Sequence, residues 1–462
     1  MEAAAITAAL GLGAVLVFVP HGLIFAATFF TLVFGASVWR PSFGIAALLA
    51  TVPIQTSVTF DLGTHYLTFT KIALAALVLG WLLSLAFTGD SPTVDAVTLA
   101  FIIYVCALIA SVWNAQDRGA WAGETYRWIT AGAVYVIARH SVRRRDDLVA
   151  VFFATSAAVL ACTTGAVVQV VRHAGPPSFT IGGVTRAFGA FGEPNPFAGY
   201  FEIAALPLVG ISGAFLLSSQ RKRYAKTIAV LGASGAAGLL GIYLTHSRGG
   251  AISTAAGLLA IALLIDRRVR VAALALIGII ALALTLAGST GRVVHRADSL
   301  AHRWDHPVQV TGANFSVEER IAHWGAAVRM WEAHPIVGVG AGNFNANFRV
   351  FTPEWRFRIP RGHAHNGYLE AAAQAGTFGL LAYVCLLAAA VARAGRVLKK
   401  STGALERGVA VGAIAATVAV MAHGMFDYLH VLNLGLQLSV VWACAELSIC
   451  RRDGEPKRSH VD

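Results

Sequence analysis

Apolar runs long enough to cross a bilayer recur along the chain almost without pause. Phe69 to Phe87, Val94 to Val112, Val149 to Val171, Thr227 to Leu244, Val271 to Ala287 and Tyr368 to Val391 are examples. A helix needs roughly 20 apolar residues to span the hydrocarbon core. With shorter runs near the start, the pattern predicts an all-α polytopic membrane protein of about 12–14 transmembrane helices. Pro20-His21-Gly22 interrupts the first apolar stretch and Leu23 to Val38 resumes at once, as in a helical hairpin, so that stretch reads as a retained helix and not a removable signal peptide. One polar segment, 289–365, is far longer than the others. The chain thus divides into N-terminal membrane helices (1–288), a large, partly helical loop with an interfacial helix (289–365), C-terminal membrane helices (366–450) and a basic tail (451–462).

Composition agrees: of 462 residues, 56% are hydrophobic and 13% charged, too little polar surface for a soluble globule. The five cysteines lie in or beside apolar runs and indicate neither a disulfide framework nor a CxxC metal site. The net charge of +12 raises nucleic acid as a partner, but its distribution argues against one. Arg143-Arg144-Arg145, Arg221-Lys222-Arg223 with Lys226, Arg267-Arg268 with Arg270, Arg393 to Lys400 and the tail Arg451 to Arg458 all sit in short connections or at the chain end. This is the positive-inside pattern, which assigns those connections and both termini to the cytoplasm. The alternate connections then face outward: 172–195, the Thr245–Gly250 turn, 289–365 and the His423–His430 turn. A re-entrant Phe43–Val58 would change the parity of the N-terminus without altering the C-terminal two-thirds.

The long segment holds nine arginines, no lysine and seven of the 15 histidines. A topology signal accepts either cation, whereas a planar guanidinium suits bidentate capture of phosphate or carboxylate. The segment's own acids, Asp298, Asp305, Glu318, Glu319, Glu332 and Glu354, account for part of the arginines. "SVEERIAHWGAAVRMWEAHP" predicts a helix with a Ser316/Glu319 capping box, a face of Ile321, Trp324, Val328 and Trp331, and an end at His334-Pro335. Its tryptophans place it at the membrane interface, with Arg320 and His323 turned toward a headgroup-level cavity. "GVGAGNF" imitates a dinucleotide fingerprint, but without a preceding strand it reads as a flexible turn.

Several polar residues need a reason. Arg127, with Glu124 one turn earlier, is either a functional ionisable group or half of a local ion pair. His423, Asp427 and His430, with Asn433 and Gln437 continuing, either line a cavity or hydrogen-bond between helices, and the second reading is the simpler. Arg186 lies in the Gly- and Pro-punctuated "TRAFGAFGEPNPFAGYFE", where Asn195 is a helix-start signal, and Arg248 stands beside two glycines in "LTHSRGG". In "RGHAHNGYLEAAAQAG", Asn366 is the expected N-cap of a helix from Gly367, whose first-turn amides would form an anion site. Asn366, Glu370 and Gln374 make a polar stripe that faces a cavity or a partner helix, not lipid. For His365 three uses stay open: a general base, a cap or loop-carbonyl bond, or a metal ligand with His363 and His323 or Glu370. The surrounding cations disfavour the last. A histidine that takes a hydroxyl proton, beside arginines that stabilise a departing phosphate, fits glycosyl transfer from a lipid diphosphate with no metal or cofactor required.

The succession "LTHSRGG", "EERIAHWGAAVRMWEAHPIVGVGAGNF" and "HAHNGYLEAAAQAGTFGLLAY" resembles the core of the O-antigen ligase and polymerase superfamily of bacterial inner-membrane glycosyltransferases, and "RAFGAFGEPNPFAGYFEIAALPL" is also similar to that family. The resemblance covers roughly residues 180–390. It implies a multi-pass inner-membrane protein with its active site on the periplasmic side, moving a glycan from undecaprenyl diphosphate to an acceptor hydroxyl. The histidine of the "HNxYL" motif, here His365, is essential in the family, and Arg248 and Arg320 match arginines that hold the diphosphate. Arg186 joins them at a more variable spacing, with Asn366, Glu370, His363, Arg361 and Arg127 in support. The expected partners are the lipid-linked glycan donor, a glycan or lipid A-core acceptor, and the bilayer. A polymerase and a protein O-oligosaccharyltransferase share this donor chemistry with a ligase. A secondary transporter of an anionic glycolipid or sugar belongs to a different class, and predicts internal repeats with mid-membrane charges.

Overall fold

The computed structural model describes residues 21–55, 59–61, 66–286, 310–311, 314–352, 357 and 359–446. The first half of the N-terminal hairpin, the beginning of the long polar segment and the basic tail lie outside the described residues. In chain order, α1 (His21–Trp39) and α2 (Pro41–Thr51) lead into the hairpin β1 (Thr59–Asp61)–β2 (Tyr66–Thr68). Then come α3 (Phe69–Thr88), α4 (Ala96–Ala110), α5 (Arg118–Ser141) and α6 (Arg145–Val171). A second small hairpin, β3 (Thr180–Ile181) with β4 (Val184–Thr185), precedes α7 (Pro194–Leu216), α8 (Ala225–Leu244), α9 (Arg248–Ile265) and α10 (Arg267–Leu286). The polar segment contributes α11 (Phe315–Ala333) and α12 (Phe344–Phe351), followed by α13 (Gly367–Lys400), α14 (Ala404–His423) and α15 (Leu434–Cys444).

Nine described helices, α1, α3, α4, α6 to α9, α13 and α14, are long and apolar enough to cross a membrane, which makes this an all-helical polytopic membrane protein. α5 is as long but carries Arg118, Glu124, Arg127 and Arg139. α2, continued by a 3-10 turn to Ile54, reaches about 21 Å, short of the roughly 30 Å hydrocarbon core.

α7 is the central post, with every residue from Pro196 to Leu208 buried. Apolar burial drives little association between helices that all face hydrocarbon, so close backbone approach has to hold them. α14 supplies it with Gly408 and Gly412, four residues apart: a Cβ at Gly412 would lie 2.6 Å from the Pro207 Cα on α7. Connections bearing the basic clusters alternate along the chain with those bearing Arg186, Arg248, His365 and Asp427, so the two kinds gather at opposite ends of the bundle. At the basic end Glu446 accepts from Arg139 Nε (2.7 Å), Arg393 Nε (2.9 Å) and the Tyr135 hydroxyl (2.8 Å), tying α5 and α13 to the residues after α15. Arg393, a member of a basic cluster, and Arg139 beside another are therefore structural cations as well.

Two expectations for the polar segment change. α11 begins at Phe315 with Asn314 at the N-cap, so Ser316 lies inside the first turn and forms no capping box. Its buried residues are Glu318, Ala322, His323, Gly325, Ala326, Ala327 and Met330, mostly small side chains that let it lie close on α13. Trp324 and Trp331 flank that contact and donate to the His365 carbonyl (3.2 Å) and the Thr377 hydroxyl (3.0 Å). The "GVGAGNF" turn is packed, not loose. Val339 N–H and Gly340 N–H donate to the carbonyls of Ala373 (2.8 Å) and Gln374 (3.1 Å), and Thr377 N–H donates to the Pro335 carbonyl (2.7 Å). This diversion of α13's backbone bonds bends the helix at Ala375–Gly376. Gly376 has φ +68°, and a Cβ there would lie 2.2 Å from the Ile336 carbonyl oxygen, so only glycine fits the bend.

Candidate functional site

Four connections meet at the end of the bundle remote from the basic clusters, and a continuous chain of hydrogen bonds links them. Arg186, just before α7, donates through Nε to the Thr245 carbonyl (2.9 Å) and through a terminal nitrogen to Asn195 Oδ1 (3.1 Å). The same Asn195 oxygen accepts from Ser247 Oγ (3.0 Å), while Asn195 Nδ2 donates to Asp427 Oδ2 (2.7 Å). Asp427 Oδ1 accepts from His365 Nδ1 (3.1 Å) and from its neighbour's backbone, Tyr428 N–H (2.8 Å). Ser247 is the N-cap of α9, its hydroxyl accepting from Gly250 N–H (3.1 Å), so it fixes the first turn on which Arg248 stands.

The arginines gather by charge as well as by connectivity. Arg186 is pushed below its ordinary pKa by burial and then by the positive charges of Arg320 and Arg248, so all three guanidinium groups share one field. Arg186 bonds only neutral oxygens. Among the described residues Arg248 and Arg320 have no hydrogen-bond or ion-pair partner. Like charges brought together without a protein carboxylate form a receptor for a multivalent anion.

His365 is held in an uncommon backbone conformation, φ +52°, which costs a non-glycine residue about 1–3 kcal/mol. Its amide donates to His363 Nδ1 (3.2 Å), and its carbonyl accepts from Trp324. With Nδ1–H directed at Asp427, the imidazole lone pair lies on Nε2. Asp427 is buried, which by itself would raise its pKa, yet the hydrogen bond from His365 and the neighbouring histidine charges hold it well below the ordinary carboxylate range. Burial lowers His363 to about 4, opposed by Asp427, so His363 is neutral near pH 7.

Asn366 is the N-cap of α13, accepting from Tyr368 N–H and Leu369 N–H (both 3.0 Å). Gly367 N–H donates to the Gly424 carbonyl (2.7 Å) and Glu370 N–H to the Asn366 carbonyl (2.8 Å). All four first-turn amides are thus used inside the protein, and the anion site expected at this helix start is not formed. The polar stripe continues as Glu370, which accepts from Ala364 N–H (2.6 Å) and from Gln374 Nε2, while Gln374 Oε1 takes Gly342 N–H (3.0 Å). It faces the polar segment and staples it to α13.

Other expected residues have partners of their own. Arg127 pairs with Glu124 and reaches the His430 carbonyl (3.3 Å); Glu124 also accepts from Trp128 and Tyr428. Arg361 pairs with Glu319 (2.9 Å). His323, expected to face a headgroup cavity, is fully buried: its ring stacks on Phe348 at 4.3 Å and meets His365 edge-on at 5.5 Å, backing the imidazole it was expected to accompany. His363, His365 and Asp427 bring ligand atoms within 4.8 Å of one another, but His363 Nδ1 already accepts the His365 amide and His365 Nδ1 already serves Asp427, so this cluster is a hydrogen-bonded relay.

Asp427 makes the expected bond to another helix, at Asn195 of α7, and also holds the His365 ring; Asn195 stands in the first turn of α7 as expected, and its side chain also joins arginine, cap and carboxylate, which sequence reasoning did not find. Below them, Glu202 on α7 accepts from His423 Nδ1 and Ser253 Oγ (both 2.8 Å), and the edge of His423 lies 3.2 Å from where Gly249 would carry a Cβ. That buried pair seats the Arg248–Gly249 turn against α14.

The protein is thus a polytopic helical membrane protein that brings a guanidinium cluster and a carboxylate-bound histidine together at one end of its bundle. Residues 233–384, about a third of the chain, match a family model described as O-antigen ligase, so a domain of that family occupies this part of the chain. A search of curated proteins finds no match. The matched segment contains Arg248, Arg320 and His365, while Arg186, Asn195 and Asp427 reach the same site from outside it. Family match and membrane architecture together support a transferase function of the O-antigen ligase kind.

Proposed function

We propose that the protein transfers a glycan from an undecaprenyl-diphosphate carrier to an acceptor hydroxyl at the periplasmic face of the bacterial inner membrane, in the manner of an O-antigen ligase. The observation that carries this reading is the hydrogen-bonded path from Arg186 through Asn195 and Asp427 to His365, with Arg248 and Arg320 unpaired beside it. His365 Nε2 takes the acceptor's proton, and Asp427 stabilises the imidazolium that forms. The acceptor oxygen attacks the anomeric carbon opposite the diphosphate, the bond from that carbon to the phosphate oxygen breaks with its electron pair, and configuration inverts. Arg186, Arg248 and Arg320 meet the charge growing on the leaving group, where fixed donors in a water-poor site are most effective. No step requires a metal. Asn366, Glu370, His363 and Arg361 support the base from its own loop, and Arg127 supports the Glu124 network beneath it. In this orientation the basic connections are cytoplasmic.

The test uses purified protein in liposomes with undecaprenyl-diphosphate glycan and a lipid A-core acceptor. The expected result is acceptor-dependent release of lipid diphosphate that survives exhaustive chelation and is lost in His365→Ala. Movement of the intact donor across the bilayer without cleavage would replace the reading with transport, and activity of His365→Ala near wild type would remove the base assignment.

A further inference from the structure

At the basic end of the bundle, opposite His365, a cleft of about 440 Å³ opens between α6 and α8, with α7 as its floor. Its walls are Leu148, Val149, Phe152 and Phe153 from α6 and Val230 and Leu231 from α8. Ile211 and Phe215 of α7 and Leu405 of α14 close the back. These residues lie in membrane-spanning segments, so the cleft faces lipid and not water. Its volume falls within the range of sites that hold small ligands.

The mouth has a different chemistry. Arg145 and Lys226 line it. Tyr224 sits between two cations, with the Arg145 and Arg223 guanidinium carbons 5.9 and 5.7 Å from its ring centroid, and packs on Phe215 at 4.6 Å. The acids nearest in sequence to Arg145 are committed elsewhere: Asp147 accepts from Arg40 Nε (2.8 Å) and Ser42 Oγ (2.7 Å), and Asp146 also faces Arg40 (3.9 Å). No carboxylate of the described residues pairs with Arg145 or Lys226. The hydroxyl of Ser156, 2% exposed, also lines the cleft and has no hydrogen-bond partner among the described residues. Positive-inside charge alone would explain the cations, but not an apolar cleft leading directly away from them.

We propose that this cleft binds an anionic phospholipid of the adjacent leaflet, its phosphate between Arg145 and Lys226 beside Tyr224 and one acyl chain along the Phe152, Phe215 and Val230 walls. Charge complementarity selects the headgroup, since a zwitterionic lipid offers the same chain but brings a cation of its own to the mouth. The site is separate from the glycosyl-transfer site and does not depend on that assignment.

The experiment incorporates the full chain into phosphatidylcholine liposomes doped with a phosphatidylglycerol probe carrying a photoactivatable acyl chain, or with its phosphatidylcholine counterpart, and maps labelled peptides by mass spectrometry. Preferential phosphatidylglycerol labelling of 148–156 and 226–231 is expected. Arg145→Gln and Lys226→Gln should each weaken it by roughly fivefold, the fold-change corresponding to about 1 kcal/mol per juxtamembrane cation. Val230→Trp, at a half-exposed wall position that tolerates a larger side chain, should block labelling by filling the cleft. Equal labelling by the two probes, or phosphatidylglycerol labelling indifferent to the charge variants or to Val230→Trp, would overturn the proposal and leave only ordinary surrounding lipid.

Discussion

Asp427→Asn isolates the function of the carboxylate from its shape. The wild-type side chain takes N–H donors on both oxygens: His365 Nδ1 and Tyr428 N on Oδ1, Asn195 Nδ2 on Oδ2. An amide offers one accepting oxygen and one donating nitrogen. If the oxygen stays toward His365 and Tyr428, the new NH2 confronts Asn195 Nδ2. Asn195 cannot turn over to receive it, because its own oxygen is held by Arg186 and Ser247. If the amide turns instead, its NH2 faces the Tyr428 N–H and favours the tautomer in which His365 Nε2 carries the proton and cannot act as a base. Either arrangement loses a charge-assisted bond of roughly 1.5–3 kcal/mol, and the second removes general-base catalysis, worth about 10²–10⁴-fold. We therefore expect kcat for glycan release in liposomes to fall by about 10²–10⁴-fold with donor KM nearly unchanged, the signature of an interaction made in the transition state. Unchanged elution and thermal unfolding would show that the fold survives. A variant within about threefold of wild-type kcat, a difference below 1 kcal/mol, would refute the assignment of Asp427 as the orienting group.

Further outcomes follow from other parts of the structure. Arg248→Gln and Arg320→Gln should each lower kcat by about 10²–10³-fold, as loss of a leaving-group donor does, whereas Arg127→Gln should leave kcat near wild type and destabilise by roughly 1–3 kcal/mol, because the buried Glu124 carboxylate keeps its Trp128 and Tyr428 bonds but loses its countercharge; steady-state kinetics and thermal unfolding separate the two classes. His363 binds a proton in the unfolded chain near pH 6.5 but in the folded one only near pH 4. The stability it contributes is therefore full above pH 6.5 and lost as pH falls toward 4, by up to about 3 kcal/mol; unfolding at pH 7.5 and pH 5 should show a larger drop for wild type than for His363→Gln. Gly376→Ala should destabilise by roughly 2–4 kcal/mol, since the bend needs positive φ and leaves no room for a methyl group; loss of monodisperse protein during purification is the readout.

The membrane character of the chain was legible because hydrocarbon imposes a simple length and composition rule. That Arg186, Arg248 and His365 would share one end of the bundle was legible from the alternation of basic and other connections along the chain. The partnership of Asp427 with His365 was not, since 62 residues and a membrane helix pair separate them, and an Asp in a turn carries no mark of what it will accept. Asn195 was hidden for a similar reason: a polar residue between two prolines announces a helix start, and nothing local reveals that its side chain will be shared by three connections.

The bend at Gly376 separates the turn that carries the base from the membrane-embedded remainder of its own helix. Residues 367–374 are bonded to the polar segment through Val339, Gly340 and Gly342, while Arg248 stands on the bundle proper. In the proposed reaction Arg320, on α11, shares the segment's mounting with the base, while Arg186 and Arg248 stand on the bundle, so the diphosphate would be gripped from both sides and the seating of the segment on α13 sets the spacing of that grip.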